Sequence, residues 1–225
     1  MNGIWILLFL ILAAALPVII VFFWLRTRKP ALTPLWFLVS LAAGVISLLA
    51  AALIQGLFPP SGWKGQDGPG MVFFYVFIRI ALVEEASRLF TIIPILKAID
   101  LLPIAENRRR YIDMAFGASL GFVVGLGFAT LESAIYGIAD INITLIRAFT
   151  ASPLHGACGI RAGTAVFSFR QYPAKAAFLF ISAVLFHGVY NLIIDSPFIP
   201  SVLAVLVAFA ALFASLHWIS GESAQ

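Results

Sequence analysis

Residues 84–88 read Glu-Glu-Ala-Ser-Arg inside a run, 71–96, that is otherwise almost entirely apolar. Glu84 and Arg88 are spaced i, i+4 and Glu85 and Arg88 i, i+3, so either carboxylate can pair with the guanidinium on one helix face. Adjacent helical residues point about 100° apart, so the two carboxylates converge only if the helix is distorted; Pro94, which removes the hydrogen bond to Phe90, offers one distortion. Further along, Glu132 closes the stretch "FATLE", His155 follows Pro153 by two, and His187 and Asn191 share a face in "HGVYN". Two imidazoles with a carboxylate suit Zn²⁺, with an open position for a water whose pKa falls toward ~7. The ligands would then be His155, His187 and Glu85. Without metal, Glu84 could activate the water as base, with His187 and Asn191 stabilising an oxyanion. Both schemes hydrolyse an amide. The sequence has no HExxH zinc helix and no GxSxG nucleophile turn.

These groups are costly to place where they stand. The chain is 62% hydrophobic and 11% charged, with mean hydropathy +1.06; soluble domains are nearer half apolar and a quarter charged. This composition indicates an integral membrane protein. A bilayer core of ~30 Å needs about 20 apolar residues per helix, and seven stretches qualify: 4–25, 35–57, 71–96, 111–137, 141–169, 176–194 and 199–219. The expected fold is an all-α polytopic bundle of about seven spans, a single domain over 1–225 with its motif-bearing core at about 71–195. The first stretch lacks a basic segment before it and is followed by Arg26, Arg28 and Lys29, which favours a retained helix over a cleaved signal peptide.

The loops give an orientation. Arg26, Arg28, Lys29, Lys97, Arg108, Arg109, Arg110, Arg170 and Lys175 fall on one side of the expected spans, Lys64 alone on the other, and Arg79, Arg88, Arg147 and Arg161 within them. The positive-inside rule then puts the N-terminus outside and the C-terminus in the cytoplasm. The basic excess is thus a topology signal and calls for no nucleic acid. Cys158 is the single cysteine, which excludes an intrachain disulfide.

Depth tests whether the polar residues can meet. Counted at 1.5 Å per residue from Lys97, Arg170 and Lys175, Glu84 lies at ~20 Å, His155 at ~22 Å and His187 at ~18 Å, within one turn of each other. Glu132, counted from Arg110, comes out at ~33 Å, near the outer surface. Gly117, Gly121 and Gly125 form a small-xxx-small ladder that admits a neighbouring helix. His217, beside Trp218 at the end of the last span, reads as an interfacial anchor. Ionisable groups inside a membrane are functional candidates by default, and four helices supplying them at compatible heights point to one polar chamber.

"EEASR", "FATLE", His155 and "HGVYN" occur in the order and on the successive helices of the PrsW intramembrane proteases, a family this sequence resembles over about half its length. That family belongs to a wider group with the CAAX prenyl proteases and bacteriocin-processing enzymes. The resemblance implies that Glu84 and Glu85 are the essential pair, that Arg88 orients them, that Glu132, His155 and His187 complete the site, and that Asn191 assists the oxyanion. It implies an endopeptidase in a bacterial cytoplasmic membrane, making a site-1 cut in a membrane-anchored, anti-sigma-factor-like protein at the outer half of the bilayer. The competing reading is a transporter or proton-conducting protein using the same Glu/His cluster; against it, the polar residues sit at one level and form no ladder across the bilayer.

Overall fold

The computed structural model describes residues 3–29, 32–58, 68–101 and 112–220, all helices and short connections, with no strand among them. α1 (Gly3–Ala14) and α2 (Leu16–Arg28) form a pair bent by 42°. Pro17 sits in the first turn of α2, where its missing N–H leaves the Ala13 carbonyl without its helical partner. α3 (Pro34–Gly56) starts at Thr33, whose hydroxyl accepts from the Trp36 N–H, with Pro34 at the first helical position.

The third apolar run divides into α4 (Pro69–Phe73), a π-helical segment (Phe74–Leu82) and α5 (Val83–Leu101). α6 (Met114–Tyr136) is capped by Asp113, which accepts from the Phe116 N–H at 2.8 Å. α7 (Ile141–Ser168) runs through Pro153, and α8 (Pro173–Asp195) and α9 (Val202–Ser220) complete the bundle.

Four helices, α3, α6, α8 and α9, are long and apolar enough to cross a membrane, and the bent α1–α2 pair would make a fifth span. The runs 71–96 and 141–169 are helical but fall outside that set. The first is segmented and carries Glu84, Glu85 and Arg88; the second holds Arg147, His155 and Arg161. Lys97 and Arg170 line one cavity, and Lys175 lies 4.2 Å from the Trp218 ring centre, so these three cations share one end of the bundle. Arg108, Arg109, Arg110 and Lys64 lie outside the described residues.

α6 is the central element, buried along most of its length and packed on α7 and α3. Its glycine ladder is the reason. A Cβ at Gly121 would overlap the Gly159 carbonyl, and one at Gly125 the His155 carbonyl. Without side chains there, α6 and α7 meet backbone to backbone, the close approach that drives association where lipid offers no hydrophobic force. The same contact sets the position of His155.

Candidate active site

Seven ionisable side chains from four helices form a continuous chain of contacts in the interior. Glu85 is its hub. Both carboxylate oxygens lie 2.5 Å from Arg88 Nη1, and Oε1 also accepts from His187 Nδ1 at 2.7 Å. Arg88 Nη2 reaches His155 Nδ1 at 3.1 Å. His155 Nε2 lies 2.8 Å from Glu132 Oε2, which Arg147 Nη2 approaches at 2.6 Å. Glu84 accepts from Gln55 Nε2 at 3.1 Å through Oε1, while its Oε2 has no hydrogen-bond partner and faces His187 Nε2 at 3.5 Å. Glu84, Glu85, Arg88, His155 and His187 are all buried; Glu132 and Arg147 keep some exposure.

The donors fix the protons. A guanidinium only donates, so His155 Nδ1 accepts from Arg88 and the ring proton falls to Nε2, beside Glu132 Oε2. Glu85 pairs with Arg88 and is the acceptor, so His187 donates through Nδ1–H and, when neutral, turns the lone pair of Nε2 toward Glu84. The two imidazoles meet edge to face, with ring centres 4.9 Å apart. Phe128 of the "FATLE" stretch packs against both cation and imidazole: the Arg88 guanidinium carbon is 4.5 Å and the His155 ring 4.9 Å from its ring centre.

Adjacent carboxylates reach this site without converging on one point, because they approach the two nitrogens of a single imidazole. The distortion that accompanies them is the π-helical segment directly upstream, where hydrogen bonds run i→i+5. Tertiary contacts hold it there. Phe77 fills the space that a side chain at Gly188 would take, and Arg79 Nη2 donates to the Gln55 carbonyl at 3.2 Å.

The structure brings Glu84, Glu85, Arg88, Glu132, His155 and His187 together. Asn191 is half-buried one turn from His187. Glu132 belongs to the chain of contacts and does not stand above it. The helix starts at Met114, four residues later than the Arg110 used to judge depth, which removes ~6 Å. The carboxylate whose ligand atom converges with those of His155 and His187, all within 4.8 Å, belongs to Glu84. The expected ligand Glu85 is occupied by Arg88 and His187 Nδ1. Gln55 and Arg147 are the partners that the sequence reading missed. Gln55 carries a signal, being the sole amide in the apolar helix α3. His217 packs on Trp218, 4.4 Å between ring centres, and takes no part.

The profile of the PrsW family intramembrane metalloproteases matches residues 32–216. The chain belongs to the PrsW family. It is similar to Protease PrsW of Clostridioides difficile (strain 630), 23% identical over 202 residues that cover 82% of this chain and 79% of the relative. It is also similar to Protease PrsW of Bacillus subtilis (strain 168), 27% identical over 163 residues, 70% of this chain and 68% of the relative. No solved structure matches. PrsW membership favours the peptidase over the transporter and makes the chain an integral membrane protein.

The family's description implies a metal, and the residues present fit one. Glu84 Oε2 is a buried carboxylate oxygen without a hydrogen bond, facing an imidazole lone pair with a second imidazole beside it. An orphaned buried acceptor costs roughly 1–3 kcal/mol, more when charged, so a cation there relieves a real deficit. His155 has both nitrogens engaged and must exchange one hydrogen bond to bind.

Proposed function

We propose that this single integral-membrane domain hydrolyses a peptide bond of a membrane-anchored protein in or just above the outer half of the bilayer, with an anti-sigma-factor-like protein as the substrate class. In this reading the bundle crosses the membrane seven times, the N-terminus lies outside, and the membrane is the cytoplasmic membrane of a bacterium. The observation that carries it is the unpartnered Glu84 oxygen facing the His187 lone pair within a network whose remaining members neutralise one another.

Glu84, His155 and His187 would hold the metal; zinc suits an N/O donor set of this kind. When bound, it would supply Lewis-acid polarisation and a lowered pKa for water. The chain's own residues do the rest. Glu84 would offer Oε2 to the ion, and Gln55 keeps its other oxygen turned away from the reaction. Glu85, held by Arg88, fixes the His187 tautomer so that Nε2 always faces the reacting centre. A carboxylate behind a ligating imidazole sets its orientation and basicity. Glu132 does the same for His155, and Arg147 keeps Glu132 ionised. Asn191, on the face of His187, donates its amide to the developing oxyanion.

The deciding experiment is Glu84→Gln, assayed on a membrane-tethered reporter in liposomes. Gln keeps the size and the contact with Gln55 but lacks the negative charge that would hold the ion. Cleavage falls at least ~100-fold, because the several kcal/mol of Lewis-acid stabilisation would go with the ion, while the melting temperature stays close to wild type. Cleavage at the wild-type rate contradicts the assignment.

A further inference from the structure

A second feature lies toward the other end of the same helices. α8 packs closely on the π-helical segment, where Phe77 meets Gly188, but much less on α5 below it. The two diverge and leave a cavity of about 560 Å³ backed by α7. Its walls are apolar: Leu89, Ile93 and Leu96 of α5, Val166 of α7, and Ala177 and Phe180 of α8. At its end stand Lys97 and Arg170, both exposed and neither in an ion pair among the described residues. None of these residues belongs to the site above.

We propose that this groove binds one anionic phospholipid, with an acyl chain along the α5–α8 cleft and its phosphate between Lys97 and Arg170. The inference rests on the chain being an integral membrane protein and not on its proteolytic activity. Length fits: Leu89 to Lys97 rises ~12 Å along α5, close to the ~15 Å of hydrocarbon in one leaflet. Charge fits as well, because basic pockets between membrane helices at the interface select acidic headgroups.

A protein helix fits on neither count. Two turns of a helix ~10 Å across need roughly 900 Å³, more than the groove offers. The cytoplasmic flank of a membrane protein is also typically basic and would meet Lys97 and Arg170 with like charge.

The test is native mass spectrometry of the intact purified protein, titrated with equal amounts of phosphatidylglycerol and phosphatidylcholine, with inorganic phosphate as a separate probe. Each cation near the surface contributes about fivefold, so wild type retains phosphatidylglycerol over phosphatidylcholine by roughly 25-fold. Lys97→Gln with Arg170→Gln lowers that preference to about one. Ala177→Trp, at an exposed wall position, fills the groove with both charges in place and also abolishes retention. The proposal is overturned if wild type holds both lipids equally, if the double variant keeps its preference, if Ala177→Trp binds as wild type does, or if phosphate alone competes the lipid away. None of these readouts requires cleavage, so they stand whether or not the chain proves to be a protease.

Discussion

Two buried guanidinium groups reach the interior of this bundle in opposite company. Arg88 meets a carboxylate, an imidazole and the face of Phe128. Arg161 donates to Ser215 Oγ at 3.0 Å and Ser182 Oγ at 2.7 Å, lies over Phe186, and touches no carboxylate. Both serines pass their own protons to backbone carbonyls, of Ala211 and Leu179. The Arg161 set is therefore closed: it ties α7, α8 and α9 together and leaves neither serine hydroxyl without a partner. Around Arg88 the balance is different. Glu85 pairs with Arg88, and Glu132 with Arg147 and His155, whereas Glu84 Oε2 has neither a hydrogen bond nor a guanidinium beside it and faces only His187. A buried charge in a membrane helix is thus not in itself a sign of chemistry. What distinguishes the proposed reactive centre is an unpartnered carboxylate oxygen that faces an imidazole nitrogen.

Substitutions sharpen this contrast in order of size. Arg88→Ala should be the most damaging, because it leaves Glu85 a buried, unpaired carboxylate. Losing one partner of such a pair costs about 3–5 kcal/mol, so thermal unfolding in detergent shifts well down and cleavage disappears with it. A variant of normal stability would mean that Glu85 is not held as described. Gln55→Leu removes the donor on Glu84 Oε1. A hydrogen bond to a charged group is worth about 1.5–3 kcal/mol, so cleavage drops roughly 10- to 100-fold while the fold persists; unchanged turnover would separate Gln55 from catalysis. Arg161→Met should do least. The replacement is of similar length and its partners are neutral, so stability moves by about 1 kcal/mol or less and the cleavage rate is retained. Loss of cleavage with stability intact would erase the difference between the two arginines.

Much of the site was legible in the sequence because ionisable residues stand out in an apolar chain. Glu84, His155 and His187 could be placed at one depth from residue counts alone, and the glycine ladder identified the helix that packs most closely. Two things were hidden. The π-helical stretch, "FYVFIRIAL", has no proline or glycine to mark it; it depends on Phe77 finding Gly188 and Arg79 finding Gln55, both contacts with other helices. The division of labour between Glu84 and Glu85 was hidden for a similar reason. Spacing allows either to pair with Arg88, and only the position of His187 on a distant helix decides that Glu85 does. Pro94 lies within α5, which continues through it, whereas the π-helical segment ends directly before the two carboxylates.

That division of labour is most directly tested by metal content. Wild type, Glu84→Gln and Glu85→Gln would be purified side by side in detergent and measured by elemental mass spectrometry, with the bound ion titrated back afterwards. The account predicts about one divalent ion per wild-type chain, none in Glu84→Gln, and a retained site in Glu85→Gln whose affinity is weaker by roughly 10- to 100-fold, the scale of a lost supporting carboxylate. An ion that stays with Glu84→Gln and is lost from Glu85→Gln would contradict it and make Glu85 the ligand.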